Sequence, residues 1–132
     1  MRSIVAAQSR AGGPADAEAI GPRNNLAMLL MKQARHAEAL AEFDTLAAWI
    51  GAHLQLDHPY RAIIASNRGE CLANLKRWEE ARVSLESAHE ALVKKYGLEH
   101  ERTRTAAARL AAVYRQLGRR ADAEALTPAP KS

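Results

Sequence analysis

A shift of 42 residues lays this chain onto itself. It carries Ala39 onto Ala81 and then onto Ala123, Asn25 onto Asn67, Leu30 onto Leu72 and Tyr114, and Leu56 onto Leu98. Asp57-His58-Pro59 returns in altered form as Glu99-His100-Glu101. A fixed period of this length is the mark of a stacked structural repeat, and it constrains the fold more than any local propensity does. Stacked units bury one another's apolar faces and present long continuous surfaces. The first expectation is therefore a binding module, not a reaction.

Within each period the apolar spacing is helical. Leu40, Phe43, Leu46, Ala47 and Ile50 recur at three and four, the signature of one buried helix face. The first pair of helices is expected from near Pro22 to Gln33 and from Ala37 to Leu54, with a break at Ala34-Arg35-His36. Proline is tolerated in a first turn, but a start nearer Asp16 would force a kink at Pro22. The second pair is expected over about Pro59–Leu75 and Trp78–Tyr96. Asp57 offers a capping side chain, Lys76-Arg77 the turn, and Gly97 the stop. Lys94 and Lys95 in the last turn complement the helix dipole. The third pair is expected from Glu101 to Leu117 and from Arg120 to about Leu126, broken at Gly118 and ended by Thr127-Pro128-Ala129-Pro130. No strand-like alternation competes, and the short turns make each pair antiparallel. Residues 1–15 are expected to be a flexible segment and 127–132 a disordered tail. Between them lies a repeat domain over 16–126, with units at about 16–57, 58–99 and 100–126.

The chain has 132 residues, nearly half of them apolar but only six aromatic. Alanine and leucine therefore make the core, which suits close helix packing in one domain of modest size. A single cysteine, Cys71, excludes an internal disulfide and reads as a small buried hydrophobe. No apolar run approaches the roughly 20 residues that span a bilayer. The short apolar stretch after Arg2 is smaller than a secretory core of about 7–15 residues. A soluble cytoplasmic protein is expected. The net charge of +4 is uneven: residues 36–100 carry seven basic and ten acidic groups, whereas residues 101–132 carry seven and three. The last third could thus favour an acidic partner, although an arginine-rich solvated surface accounts for the same charge.

Each period also carries a small residue, a large one three later, and a small one nine after that: Ala27/Leu30/Ala39, Gly69/Leu72/Ala81 and Ala111/Tyr114/Ala123. Small residues let paired helices approach and large ones fill the space beside them. With the run Leu110-Ala111-Ala112-Val113-Tyr114-Arg115-Gln116-Leu117-Gly118, and with Trp78-Glu79-Glu80-Ala81, this pattern resembles the tetratricopeptide repeat. The usual period there is 34. The longer spacing, the His58-Pro59 start and Lys95-Tyr96-Gly97-Leu98-Glu99-His100 resemble the variant found in kinesin light chains and many bacterial regulatory proteins. The resemblance covers about residues 16–126. It implies an all-α, right-handed superhelical solenoid of antiparallel helix pairs, about three units with the last truncated. It also implies a non-catalytic protein-interaction scaffold that holds a peptide or helix of a partner in a concave groove. Two departures stand out. The first unit has Gln33-Ala34-Arg35-His36 where a glycine-containing turn is usual, and the third lacks most of its second helix. The latter suggests a piece of a longer array, or self-association through an uncapped C-terminal end.

In the family the first helix of each pair lines the groove. Asn25, Asn67 and Arg109, each two before the small residue, are expected to align there. An amide carries donors and an acceptor, so a row of them can hold a peptide backbone without reading its sequence. Asn24, Met28, Lys32, Ser66, Glu70, Asn74, Arg115 and Gln116 are the neighbouring groove candidates. The alternative is that Asn25 and Asn67 bond only to adjacent helices. The chaperone-tail subfamily grips a carboxylate with two lysines, two asparagines and an arginine. Here Asn67 and Arg109 match, but Asn24, Met28 and Thr105 stand at the other three positions, and without lysines most of the charge-assisted grip is lost.

Other signals read as structural. The five histidines lack metal-site spacing, and His58 and His100 recur at unit boundaries, so no metal and no cofactor are expected. Glu86 and Glu90, with Arg82 a turn earlier, read as a solvated ion-pair face. No phosphate loop or nucleophile elbow occurs, so an enzyme is not expected. Trp49 and Trp78 read as packing residues. A nucleic-acid-binding helical repeat using Arg102, Arg104, Arg109, Arg115, Arg119 and Arg120 is the competing function. It lacks stacking aromatics other than Tyr114, which has a packing role.

Overall fold

The computed structural model describes residues 17–55 and 57–126. The expected flexible segment 1–15 and the tail 127–132 lie outside the described residues, as does the Leu56 half of the Leu56/Leu98 echo. Six α-helices follow one another: α1 (Ile20–Lys32), α2 (His36–His53), α3 (Pro59–Asn74), α4 (Trp78–Tyr96), α5 (Glu101–Gln116) and α6 (Arg120–Leu126). No strand is found among the described residues. A 3₁₀ turn over Ala17–Ala19 leads into α1. Pro22 therefore falls in the first turn of α1, where its missing N–H has no partner to lose, and no kink is needed.

The 42-residue period is physical at the turns. Ala34, Lys76 and Gly118 each take a positive φ (61°, 62° and 75°) just past the end of a first helix. Beside them the N–H groups of Arg35, Arg77 and Arg119 donate to the carbonyls of Leu30, Leu72 and Tyr114 at 2.8, 2.9 and 2.8 Å. This is the six-to-one bond of a Schellman end, repeated three times. The same arginines then pair with the acid three residues on: Arg35 forks onto Glu38 and Arg77 onto Glu80, while Arg119 reaches Asp122 through Nε. The left-handed conformation costs a residue with a Cβ roughly 1–2 kcal/mol, against about 0.5–1 kcal/mol for the extra freedom glycine loses on folding. Replacing Ala34 and Lys76 together by glycine is thus expected to stabilise the chain by about 1 kcal/mol, a rise of roughly 3–5 °C in thermal midpoint. An unchanged or lower midpoint would count against strain at these turns.

The starts of α3 and α5 also repeat, with one change from expectation. Asp57 is exposed, and the cap is His58, whose Nδ1 accepts the Tyr60 N–H at 3.1 Å. Pro59 at the first helical position explains this, because the residue before a proline is pushed into extended backbone, the conformation of a cap. His100 caps α5 in the same way, accepting from Arg102 N–H at 3.1 Å, with its ring stacked on Tyr96 at 4.2 Å. At the far end of α4, Gly97 takes φ 88°, a conformation open to glycine.

Packing joins the pairs into one stack. α1 lies on α2, α3 on α4 and α5 on α6, while α2 also packs on α3 and α4 on α5. Two side chains 42 residues apart bind the junctions. Arg61 on α3 reaches back to the Gln55 carbonyl at 2.6 Å and to that of Leu54, two carbonyls past the end of α2. Thr103 on α5 donates to the Leu92 carbonyl of α4 at 3.3 Å. The core is leucine, isoleucine and alanine around Phe43, with Leu30, Leu46, Ile64, Leu72, Leu85, Leu110 and Val113 fully or nearly enclosed. Trp49 and Trp78 pack against its edge. Cys71 is buried and its thiol donates to the His36 carbonyl at 3.1 Å. Burial, then the nearby Asp44, pushes that thiol up to about 11, so it is a packing group rather than a nucleophile.

Candidate interaction face

The helices form two layers. In one, α1 touches α3 and α3 touches α5; in the other, α2, α4 and α6 do not touch one another. A stack whose first helices meet while its second helices splay apart curves toward the first helices. The face built by α1, α3 and α5 is therefore the inner one. The resulting architecture is an all-helical solenoid of antiparallel pairs.

A polar row crosses this inner face. The Asn67 amide on α3 donates to Asn24 Oδ1 on α1 at 2.9 Å. From α5, Arg109 Nη1 donates to Asn67 Oδ1 at 3.0 Å and to Ser66 Oγ at 2.9 Å, while its Nη2 meets Glu70 Oε1 at 2.7 Å. Ser66 and Asn67 are buried, Arg109 is mostly buried and Glu70 half-buried. Buried polar groups are stable only when bonded, and this row bonds them in series across three helices. Burial lowers the pKa of the Arg109 guanidinium and the Glu70 charge opposes that shift. Arginine remains charged at neutral pH regardless.

The expected groove residues divide into two groups. Asn24, Ser66, Asn67, Glu70 and Arg109 form the row. Asn25, Lys32, Asn74, Arg115 and Gln116 are exposed, and Met28 is half-buried against the core. Asn24, not Asn25, bonds Asn67, so the row steps by 43 residues on that side and by 42 to Arg109. Of the two amides in the structural alternative, Asn67 does bond to both adjacent helices, while Asn25 is exposed and its place is taken by Asn24. Beside the row a cleft of about 320 Å³ opens between α3 and α5, lined by Ile63, Ser66, Asn67, Arg102, Thr105 and Arg109 among others. Ile63 was not singled out from the sequence. Its signal is its place four before Asn67, one helical turn along the same face.

The other candidates have structural duties. Arg82 pairs with Glu79 and Glu86, both at 2.9 Å, while Glu90 is exposed. Of the six arginines that could have met nucleic acid, Arg109 and Arg119 are held in ion pairs. The Tyr114 ring is buried, with Arg119 4.7 Å from its centre and its hydroxyl donating to Glu86. Burial and then that hydrogen bond push the phenol up to about 12. It offers no free face on which a base could stack. His58 and His100 are caps, and no cluster of three or more metal-ligand side chains occurs among the described residues. No helix among the described residues is long and apolar enough to cross a membrane.

A comparison with curated proteins gives no match. The tetratricopeptide repeat family matches over residues 60–126, half of the chain, covering α3 to α6. The first pair, α1 and α2, extends the same 42-residue register, with the same turn geometry at Ala34 as at Lys76 and Gly118. Period, paired helices, repeated Schellman turns and family match agree, and the chain belongs to the tetratricopeptide repeat family.

Proposed function

We propose that this chain is a non-catalytic scaffold whose inner face holds a peptide or helical segment of a partner protein. Membership of the tetratricopeptide repeat family supports an interaction module in general. The observation that carries the more specific reading is the row Asn24–Asn67–Arg109–Glu70, which fixes polar groups of three successive helices across the inner face. A site held rigid before binding loses less conformational entropy when a ligand arrives. The row supplies that rigidity, and the exposed Asn25, Asn74, Arg115 and Gln116 around it supply unspent donors and acceptors for a polypeptide backbone. The cleft between α3 and α5 gives room for a side chain of the bound segment.

The exposed members test this without disturbing the fold. An Asn74→Ala/Arg115→Ala variant is expected to recover its partner from the source-cell lysate at least about tenfold less well than wild type, a loss of about 1.4 kcal/mol. Its thermal midpoint should match that of wild type, because both side chains are exposed. Recovery of the same proteins in the same amounts would remove the inner face as the binding surface.

A further inference from the structure

The outward face of α1 exposes two large apolar side chains, Leu26 and Leu29. Each first helix after α1 packs one stripe of side chains onto the second helix before it. On α3 that stripe is Ile64, Arg68 and Cys71: Arg68 pairs with Asp44 of α2, and Cys71 bonds the carbonyl of His36, where α2 begins. On α5 it is Ala106, Leu110 and Val113, of which none is more than 2 % exposed. Ala106 packs with Leu92 of α4, and Tyr114 bonds Glu86, so the covering helix runs antiparallel. The 42-residue register maps these positions onto Pro22, Leu26 and Leu29 of α1. Spaced by four and three, they share one face. All three are apolar, yet Leu26 is 46 % and Leu29 50 % exposed. Among the described residues only two other large hydrophobics, Val83 and Leu98, are as exposed, and neither lies on a first helix.

We infer that this face receives an amphipathic α-helix of a partner protein, laid antiparallel to α1 as α4 lies on α5. The interface is already built twice inside the chain, and the open face continues that series. The closer template is α4 on α5, since both faces are apolar at the shared positions: Leu26 stands for Leu110 and Leu29 for Val113. The expected occupant therefore carries leucine and alanine in the spacing of Leu85, Ala88 and Leu92. This surface is separate from the inner face, so its test stands apart from that of the groove.

The probe is a synthetic, fluorescently labelled peptide of residues 78–96, titrated into the full chain and followed by anisotropy. Saturable one-to-one binding is expected, weakened at least about tenfold by Leu26→Glu and by Leu29→Glu. Val83→Glu, an exposed apolar position on α4, should leave it unchanged, and all three variants should keep the wild-type helical spectrum. Absence of saturable binding would overturn the inference, as would binding indifferent to Leu26→Glu, since the peptide would then be seated elsewhere. Sedimentation equilibrium supplies the remaining arm. A dimer that dissociates on dilution and is split by Leu26→Glu would assign the face to a second copy of this chain, and would also overturn the inference.

Discussion

Replacing Gly69 by alanine is expected to lower the stability of the chain by about 1–3 kcal/mol, although alanine is the better helix former. The reason is a contact between α3 and α4. A Cβ built on Gly69 would overlap Leu85 Cγ and lie 2.8 Å from its Cδ2. Leu85 is fully buried in the core cluster, so its branch point has no empty space to move into. Helix propensity argues the other way by about 0.5–1 kcal/mol, and the overlap outweighs it. Gly51 provides the contrast. It sits in α2 with nothing within 4 Å of its built Cβ, so Gly51→Ala is expected to stabilise by that same 0.5–1 kcal/mol or so. Urea midpoints at constant slope would read both signs. A double-mutant cycle locates the cause: Leu85→Ala alone is expected to cost about 2–5 kcal/mol, and markedly less when Gly69→Ala is already present. Additive costs would mean that the two positions do not collide.

That contact shows what the sequence could convey. The triad Gly69/Leu72/Ala81 marked Gly69 as a place of close approach, because the same register held Ala27 and Ala111. Which side chain it approaches depends on how α4 is rotated against α3, a tertiary quantity. Helix limits were legible for a similar reason: Pro59, Gly97 and Gly118 act through local backbone chemistry, and the helix expected from Trp78 to about Tyr96 is found over Trp78–Tyr96. The left-handed turns at Ala34 and Lys76 carry no glycine, so composition hides them, but the period from Gly118 reveals them. The pairing of Arg35, Arg77 and Arg119 with Glu38, Glu80 and Asp122 was equally open to the 42-residue shift. The cap at His58 was missed because Asp57 is the stronger capping residue in isolation; Pro59 favours the extended backbone of a cap at His58, and the recurrence of the same cap at His100 before Glu101 shows that the histidine itself serves.

The polar row was legible in its members but not in its pairing. Asn67 and Arg109 follow from the period. The choice of Asn24 over Asn25 does not, since successive residues on a helix point about 100° apart and only the seating of α1 beside α3 decides between them. The exposure of Leu26 and Leu29 was hidden for the opposite reason. Their spacing marks an apolar face, and a spacing cannot tell whether a neighbour covers it.

Arg109→Met is expected to have the second large effect, on stability and on binding together. Methionine keeps much of the aliphatic stem and removes the guanidinium. Asn67 Oδ1 and Ser66 Oγ then lose their donor inside a buried site, and Glu70 loses its ion pair. Leaving buried polar groups unpaired costs about 1–3 kcal/mol. The Glu70 pair adds little to that, because its carboxylate side chain is 37 % exposed and solvent already screens it. Arg109→Lys should recover only part of the loss, because an ammonium cannot direct separate N–H groups at Ser66, Asn67 and Glu70 at once. The α3–α5 junction should loosen first, seen as faster amide exchange in α5 than in α2 at a temperature where both variants remain folded. If the inner face binds a partner, affinity should fall with that loosening in both variants, and more for methionine than for lysine. A variant that kept its exchange protection and stability yet lost its partner would show that Arg109 touches the ligand itself. Equal losses in stability and affinity for the two substitutions would show instead that the fork, rather than the positive charge, is what positions the face.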